Sequence, residues 1–170
     1  MAYETHSPNR RAILGLAGTA ALGAIAWRMQ WPGGDMAIAA VPPTFTLTDA
    51  EWRKRLSPNA YAVLRQAATE PPFSSPLNDQ HAKGTFVCAG CALPLFASST
   101  KFDSGTGWPS FYDHLPRAIS QKSDTTLGMV RTEVRCARCA GHLGHVFDDG
   151  PRPTGLRYCM NGLALNFVKA

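Results

Sequence analysis

A chain of 170 residues with 45% hydrophobic and 17% charged side chains has the material for one globular domain with its own core, which excludes a disordered or collagen-like polypeptide. The net charge of +5 is carried in part by Arg10, Arg11 and Arg28 near the N-terminus. The other basic residues are scattered, with no cationic run and no aromatic-interleaved face, so a nucleic-acid partner is not expected.

In chain order, Arg10-Arg11 stands immediately before an Ala- and Gly-rich apolar run from Ala12 to Ala26. This is the layout of an export signal of the twin-arginine type. The run is about 15 residues long, short of the roughly 20 that span a bilayer, so a removable segment is expected over a permanent anchor. A surface helix is the alternative, and the lack of a polar face argues against it. Small residues at Ala37-Ile38-Ala39 suggest cleavage there, which divides the chain into a signal peptide, 1–39, and a domain, 40–170. The expected location is the periplasm, with membrane anchoring if the leader is retained.

Thr48-Asp49-Ala50-Glu51 has the form of a capping box and opens a short helix through about Leu56. Ser57-Pro58 starts a second helix of about ten residues, with Tyr61, Leu64 and Ala68 as its apolar stripe and Glu70-Pro71-Pro72 as its stop. The stretch from Phe73 to Lys83 has no period and reads as an irregular loop. From Gly84 onward the texture is short β-type runs. Thr85-Phe86-Val87 and Leu93-Pro94-Leu95-Phe96 flank the first cysteine pair. Val130, Thr132 and Val134 alternate with Arg131, Glu133 and Arg135, and Leu163, Leu165 and Phe167 alternate at the end. Two small helices followed by several short strands imply a mainly β, antiparallel domain.

The five cysteines divide by spacing. Cys88/Cys91 and Cys136/Cys139 form two C-x-x-C pairs about 45 residues apart, which suits a closed Cys₄ zinc site with a structural role. Two disulfides or a thioredoxin-like redox pair are the alternatives, and export makes disulfides less unexpected. Cys159 is left over. If its segment is a strand, Arg157, Cys159 and Asn161 share a face, and the arginine's permanent charge favours a thiolate. The bland alternative is a small buried hydrophobe. Gly105-Thr106-Gly107-Trp108-Pro109-Ser110-Phe111 is a loop that would present Trp108, although either aromatic could belong to the core. Gly141 to Asp149 brings His142 and His145 together with Asp148 and Asp149, for acid/base work or, with only two local ligands, less readily for metal.

Four ordered motifs make the chain resemble the type B peptide-methionine (R)-S-oxide reductases: Cys-Ala-Gly-Cys with Leu-Pro-Leu-Phe, Lys-Phe-Asp-Ser-Gly-Thr-Gly-Trp-Pro-Ser-Phe, His-Leu-Gly-His-Val-Phe-Asp-Asp-Gly-Pro and Leu-Arg-Tyr-Cys-Met-Asn. The resemblance covers Phe45 to Phe167. It implies two antiparallel β-sheets, one structural Zn²⁺ away from the active centre, and reduction of the R epimer of methionine sulfoxide in proteins. It makes Cys159 the nucleophile, flanked by Arg157 and Asn161. His142, His145 and Asp149 would bind and protonate the sulfoxide oxygen, and Trp108, with Phe111 beside it, would hold the substrate. Many members carry a resolving cysteine where this chain has Thr106, so an outside thiol, such as a thioredoxin-like protein, is the expected reductant. The expected partners are oxidised proteins, met by a monomer. A zinc-ribbon-like binding module and a thiol peroxidase or disulfide oxidoreductase are the rival readings.

Overall fold

The computed structural model describes residues 43–170, so the expected signal peptide and its cleavage site lie outside the described residues. No helix among the described residues is long and apolar enough to cross a membrane. Helix α1 spans Asp49–Arg55, and both halves of its capping box form: the Thr48 side chain accepts from the Glu51 amide, and the Glu51 carboxylate accepts from the Thr48 amide at 2.7 Å. Helix α2, Pro58–Gln66, is capped by Ser57 and carries Pro58 in its first turn. It stops earlier than its apolar pattern suggests, because Ala67 turns left-handed at φ 56°. Ala68 therefore falls past the helix, and the buried stripe is Ala60, Tyr61, Val63 and Leu64.

The strands form two antiparallel sheets, as expected of a mainly β domain. Three strands, β1 (Gly84–Cys88), β2 (Pro94–Ala97) and β9 (Leu165–Lys169), run in the order β2-β1-β9. The larger sheet contains β3 (Lys101–Phe102), β4 (Ser110–Phe111), β5 (Ile119–Asp124), β6 (Arg131–Cys136), β7 (His142–Phe147) and β8 (Arg157–Met160), in the order β3-β4-β8-β7-β6-β5. The strand carrying Cys159 thus sits inside the sheet, between β4 and β7. Phe86 of β1 and Phe96 of β2 meet Phe111 of β4, the latter two rings stacked at 4.4 Å. Val134, Leu143, Tyr158 and Met160 extend this core along the larger sheet. Each such side chain removed from water contributes about 1.5–3 kcal/mol.

Two strand patterns differ from the reading of the sequence. Leu163 lies in a 3₁₀ turn, Gly162–Ala164, ahead of β9, so the terminal alternation begins only at Leu165. In β6 Val134 is buried as expected, but Val130 precedes the strand and is 81% exposed, while Glu133 on the opposite face is 7% exposed. The second face of this sheet is also covered, by the polar groups of the site.

Candidate active site and metal centre

The two cysteine pairs occupy equivalent knuckles. In each, the residue after the second cysteine is a left-handed alanine, Ala92 at φ 58° and Ala140 at φ 56°, whose amide donates back to the first cysteine's carbonyl, Cys88 or Cys136. One knuckle closes β1 onto β2 in the small sheet, and the other closes β6 onto β7 in the large one. All four sulfurs lie within 4.8 Å of one another, and all four residues are buried. Arg55 donates to the Gly90 carbonyl and Arg65 to that of Cys139, so both helices latch onto the knuckles. Hydrogen bonding among the four sulfurs pushes the Cys88 and Cys139 thiols up and the Cys91 and Cys136 thiols down, so that the first ionisations oppose the later ones. A cation is what would let four such groups ionise together, and the donor set fits a tetrahedral metal with no open position.

Cys159 is separate from that cluster and half-buried. Its register partners are Ser110 on β4 and His145 on β7. Strand alternation decides the neighbours. Ser110 and His145 lie alongside Cys159, whereas Phe111, paired with Tyr158, falls on the core face. Phe111 is fully buried against Phe86 and Phe96, so the expected substrate-holding role for it does not fit. Gly144 beside Cys159 is required by close approach: a Cβ there would lie 2.1 Å from the Cys159 carbonyl oxygen. A cavity of about 130 Å³ opens over the thiol, lined by Thr69, Trp108, Arg131, His145, Phe147 and Asn161 among others.

The expected polar residues divide into those that reach this cleft and those that support it. His145 reaches it. Its Nε2 faces an Asp124 oxygen at 2.8 Å, and because a carboxylate only accepts, that nitrogen carries the proton. Asp124 is held well below the usual carboxylate range by hydrogen bonds from Thr126, with further help from His145 and Arg131. His142 lies beneath, 3% exposed, with Nδ1 donating to Glu133 at 2.8 Å. Burial pushes His142 down despite that carboxylate, so it is held neutral, and its Nε2 has no protein partner. Asp149 was expected on the sulfoxide oxygen. Instead both its oxygens accept from Arg157 at 2.8 Å, and Arg157 stacks over Phe147 at 4.4 Å. Asn161 lines the cleft, but its amide donates to the Leu143 carbonyl and its oxygen accepts from the Glu70 amide. Sequence reasoning missed Asp124, Glu133 and Glu70, the carboxylates it singled out for the site being Asp148 and Asp149.

The expectation that Arg157 favours a thiolate is outweighed. Burial pushes the Cys159 thiol up, and Thr106 at 3.8 Å, the Arg157 charge and Ser110 pull it back only in part. Much of the arginine's charge is answered by Asp149. In the free protein Cys159 is therefore a thiol at neutral pH, and its alkylation rate by iodoacetamide should climb as pH rises through and beyond the ordinary thiol value of about 8.5. Arg157→Ala should move the curve to still higher pH, since a stabilising cation is lost. A plateau below that value in the wild type would refute the assignment.

This arrangement defines a class, a two-sheet β protein that keeps one cleft thiol, Cys159, apart from a four-cysteine metal-type centre. Residues 56–169 match the SelR domain family. The chain is 59% identical over 121 residues to the peptide methionine sulfoxide reductase MsrB of Thiobacillus denitrificans, covering 71% of this chain and 92% of that protein. It is 53% identical over 126 residues to the MsrB of Agrobacterium fabrum, covering 74% and 93%. An archaeal relative, the MsrB of Methanosarcina barkeri, is 54% identical over 121 residues, covering 71% and 85%. The chain belongs to the SelR-domain, MsrB-type family of peptide methionine sulfoxide reductases.

Proposed function

We propose that this protein is a peptide-methionine (R)-S-oxide reductase in which Cys159 attacks the sulfoxide sulfur. The observation that carries the mechanism is the position of Cys159, the one described cysteine outside the metal-type cluster, in a cleft walled by Trp108 and His145. The thiol sulfur bonds to oxygen as the sulfoxide S–O bond breaks. The proton count closes without an outside acid, because the thiol and the sulfoxide yield a thioether and a Cys159 sulfenic acid. His145 is the group placed to pass that proton, since it lines the cleft and its Nε2–H is held by Asp124: Nδ1 takes the proton from the Cys159 thiol and then donates it to the sulfoxide oxygen. His142 supports it from below, ring centroids 5.4 Å apart. The Trp108 ring offers an apolar seat for the methyl group, and the R preference rests on membership of the family.

Zn²⁺ suits Cys88, Cys91, Cys136 and Cys139, where it would supply cross-linking of the two sheets and no part of the reaction. The Arg10-Arg11 pair and the apolar run after it support export, and repair of oxidised envelope proteins follows from that reading. The oxidised enzyme needs two electrons from outside. With Thr106 beside Cys159 and the other described cysteines in the cluster, no spare internal thiol is placed to resolve the sulfenic acid. An external thiol, in the envelope a thioredoxin-fold protein, attacks it to form a mixed disulfide with release of water, and a second thiol of that protein breaks the mixed disulfide, leaving its own disulfide and a Cys159 thiol.

After one turnover without reductant, mass spectrometry should find dimedone on Cys159 and no new disulfide. A disulfide from Cys159 to a cluster cysteine would overturn the recycling scheme. Oxidation of Cys159 by peroxide with no turnover of methionine-R-sulfoxide would favour the thiol peroxidase.

A further inference from the structure

Between α2 and β1 the chain passes as a strap from Thr69 to Asn78, and Glu70 is its fastening. All four polar groups of this residue are engaged. Its carboxylate, in a residue only 4% exposed, accepts from the amides of Gly162 and Leu163, the turn that directly follows the nucleophile strand. Its own amide donates to the Asn161 side chain at 3.0 Å, and its carbonyl accepts from the Trp108 indole at 3.1 Å. Further along the strap, the Phe73 amide and the Asn78 side chain both donate to the Gly107 carbonyl, at 2.7 and 3.0 Å. The strap therefore joins the loop bearing Thr106 and Trp108 to the turn behind Cys159, and Thr69 next to the fastening lines the cleft.

The packing at the fastening is close enough to dictate residue type. A Cβ on Gly162 would lie 1.9 Å from the Ser75 hydroxyl and 3.2 Å from the Glu70 carboxylate, so only glycine lets the strap sit down on the turn. A buried carboxylate costs free energy unless its acceptor positions are filled, and the partners here are backbone amides of the element next to the nucleophile. Holding a loop to a surface would not need a charge in that place. What the carboxylate adds is a fixed distance between the aromatic wall and the reactive strand.

We propose that Glu70 is a positioning residue for sulfoxide reduction, tying Trp108 and Asn161 to the turn after Cys159 and so setting the spacing across the cleft. This rests on the reductase reading above. Glu70 touches neither substrate nor sulfur, and acts through Trp108.

Glu70→Gln is the direct test, because it keeps size and both main-chain bonds but turns an amide donor toward the amide of Gly162 or Leu163. The value of kcat/KM for dabsyl-methionine-R-sulfoxide with dithiothreitol should fall on the order of 10²-fold, the scale of an ångström-level misplacement. The alkylation rate of Cys159 by iodoacetamide and the bound metal should stay as in the wild type, since the nucleophile's surroundings are kept. Unchanged kcat/KM, or an alkylation rate that falls in parallel, would overturn the proposal. If Glu70→Gln fails to fold, Glu70→Asp keeps the charge and both main-chain bonds and shortens the reach of the carboxylate to the Gly162 and Leu163 amides by one methylene. The same split between lost turnover and retained alkylation is then expected, and full turnover would overturn the role. Absence of turnover in the wild type would remove the reductase reading itself, whereas a loss confined to the variants leaves that reading intact.

Discussion

Cys159→Ser should lower sulfoxide reduction on the order of 10⁴-fold or more, to the limit of detection, while the fold and metal content stay unchanged. The size of the effect follows from the chemistry. A serine hydroxyl in the same place is a far poorer nucleophile, and it cannot accept the oxygen as a sulfenic acid does. The silence of the rest of the molecule follows from the structure. Cys159 contacts the Thr106 hydroxyl at 3.8 Å and is no member of the four-thiol cluster, so exchange of sulfur for oxygen opens little space and removes no ligand. Initial rates with dabsyl-methionine-R-sulfoxide, together with metal analysis and a circular dichroism spectrum, check all three parts. Retained turnover would sink the mechanism, and lost metal would show that the thiol and the cluster are not independent.

Cys136→Ser should leave the domain without metal and unfolded, or melting far below the wild type. Cys136 belongs to the knuckle of the large sheet, and Cys88 and Cys91 to that of the small one, so an ion held by the set cross-links the two layers. Structural zinc sites contribute roughly 10–16 kcal/mol of apparent binding free energy, which is as large as the roughly 5–15 kcal/mol net stability of an ordinary domain. Loss of one ligand also leaves three buried thiols with less reason to lie together. The same outcome is expected from a strong chelator acting on the wild type. Thermal melts with and without chelator, followed by metal analysis, measure it, and an unshifted melt after complete metal loss would end the structural assignment.

The contrast between these two variants reflects how the chain uses its cysteines, and that division is legible in the sequence. Two C-x-x-C pairs and one remainder can be counted in a sequence, because a metal knuckle is a local turn whose spacing is set by four consecutive residues. The same holds for the capping box at Thr48 and Glu51 and for the proline start of α2, where hydrogen bonds close within three or four residues. Strand existence was legible too, since alternation has a period of two. Which face a strand turns inward was harder. The resemblance put Phe111 with Trp108 at the substrate while its residue type suited the core equally, and the register with Tyr158 sends it into the core.

The mainly β class, the two C-x-x-C knuckles, the remaining thiol and the His-x-x-His segment are all readable in the chain, because each rests on contacts short in sequence. The wiring of the site comes from the folded chain. Asp124 reaches His145 from 21 residues away, and Glu70 reaches Gly162 from 92. Neither residue stands in a motif of its own, because its role comes from sheet register and a loop crossing, which no local spacing encodes. The state of Cys159 was likewise a tertiary matter. An arginine two residues away argues for a thiolate, but burial between β4 and β7, with Asp149 already answering that arginine, leaves a thiol. Charge in sequence is a count of groups, whereas a pKa depends on how many waters have been removed and which partners have taken their place.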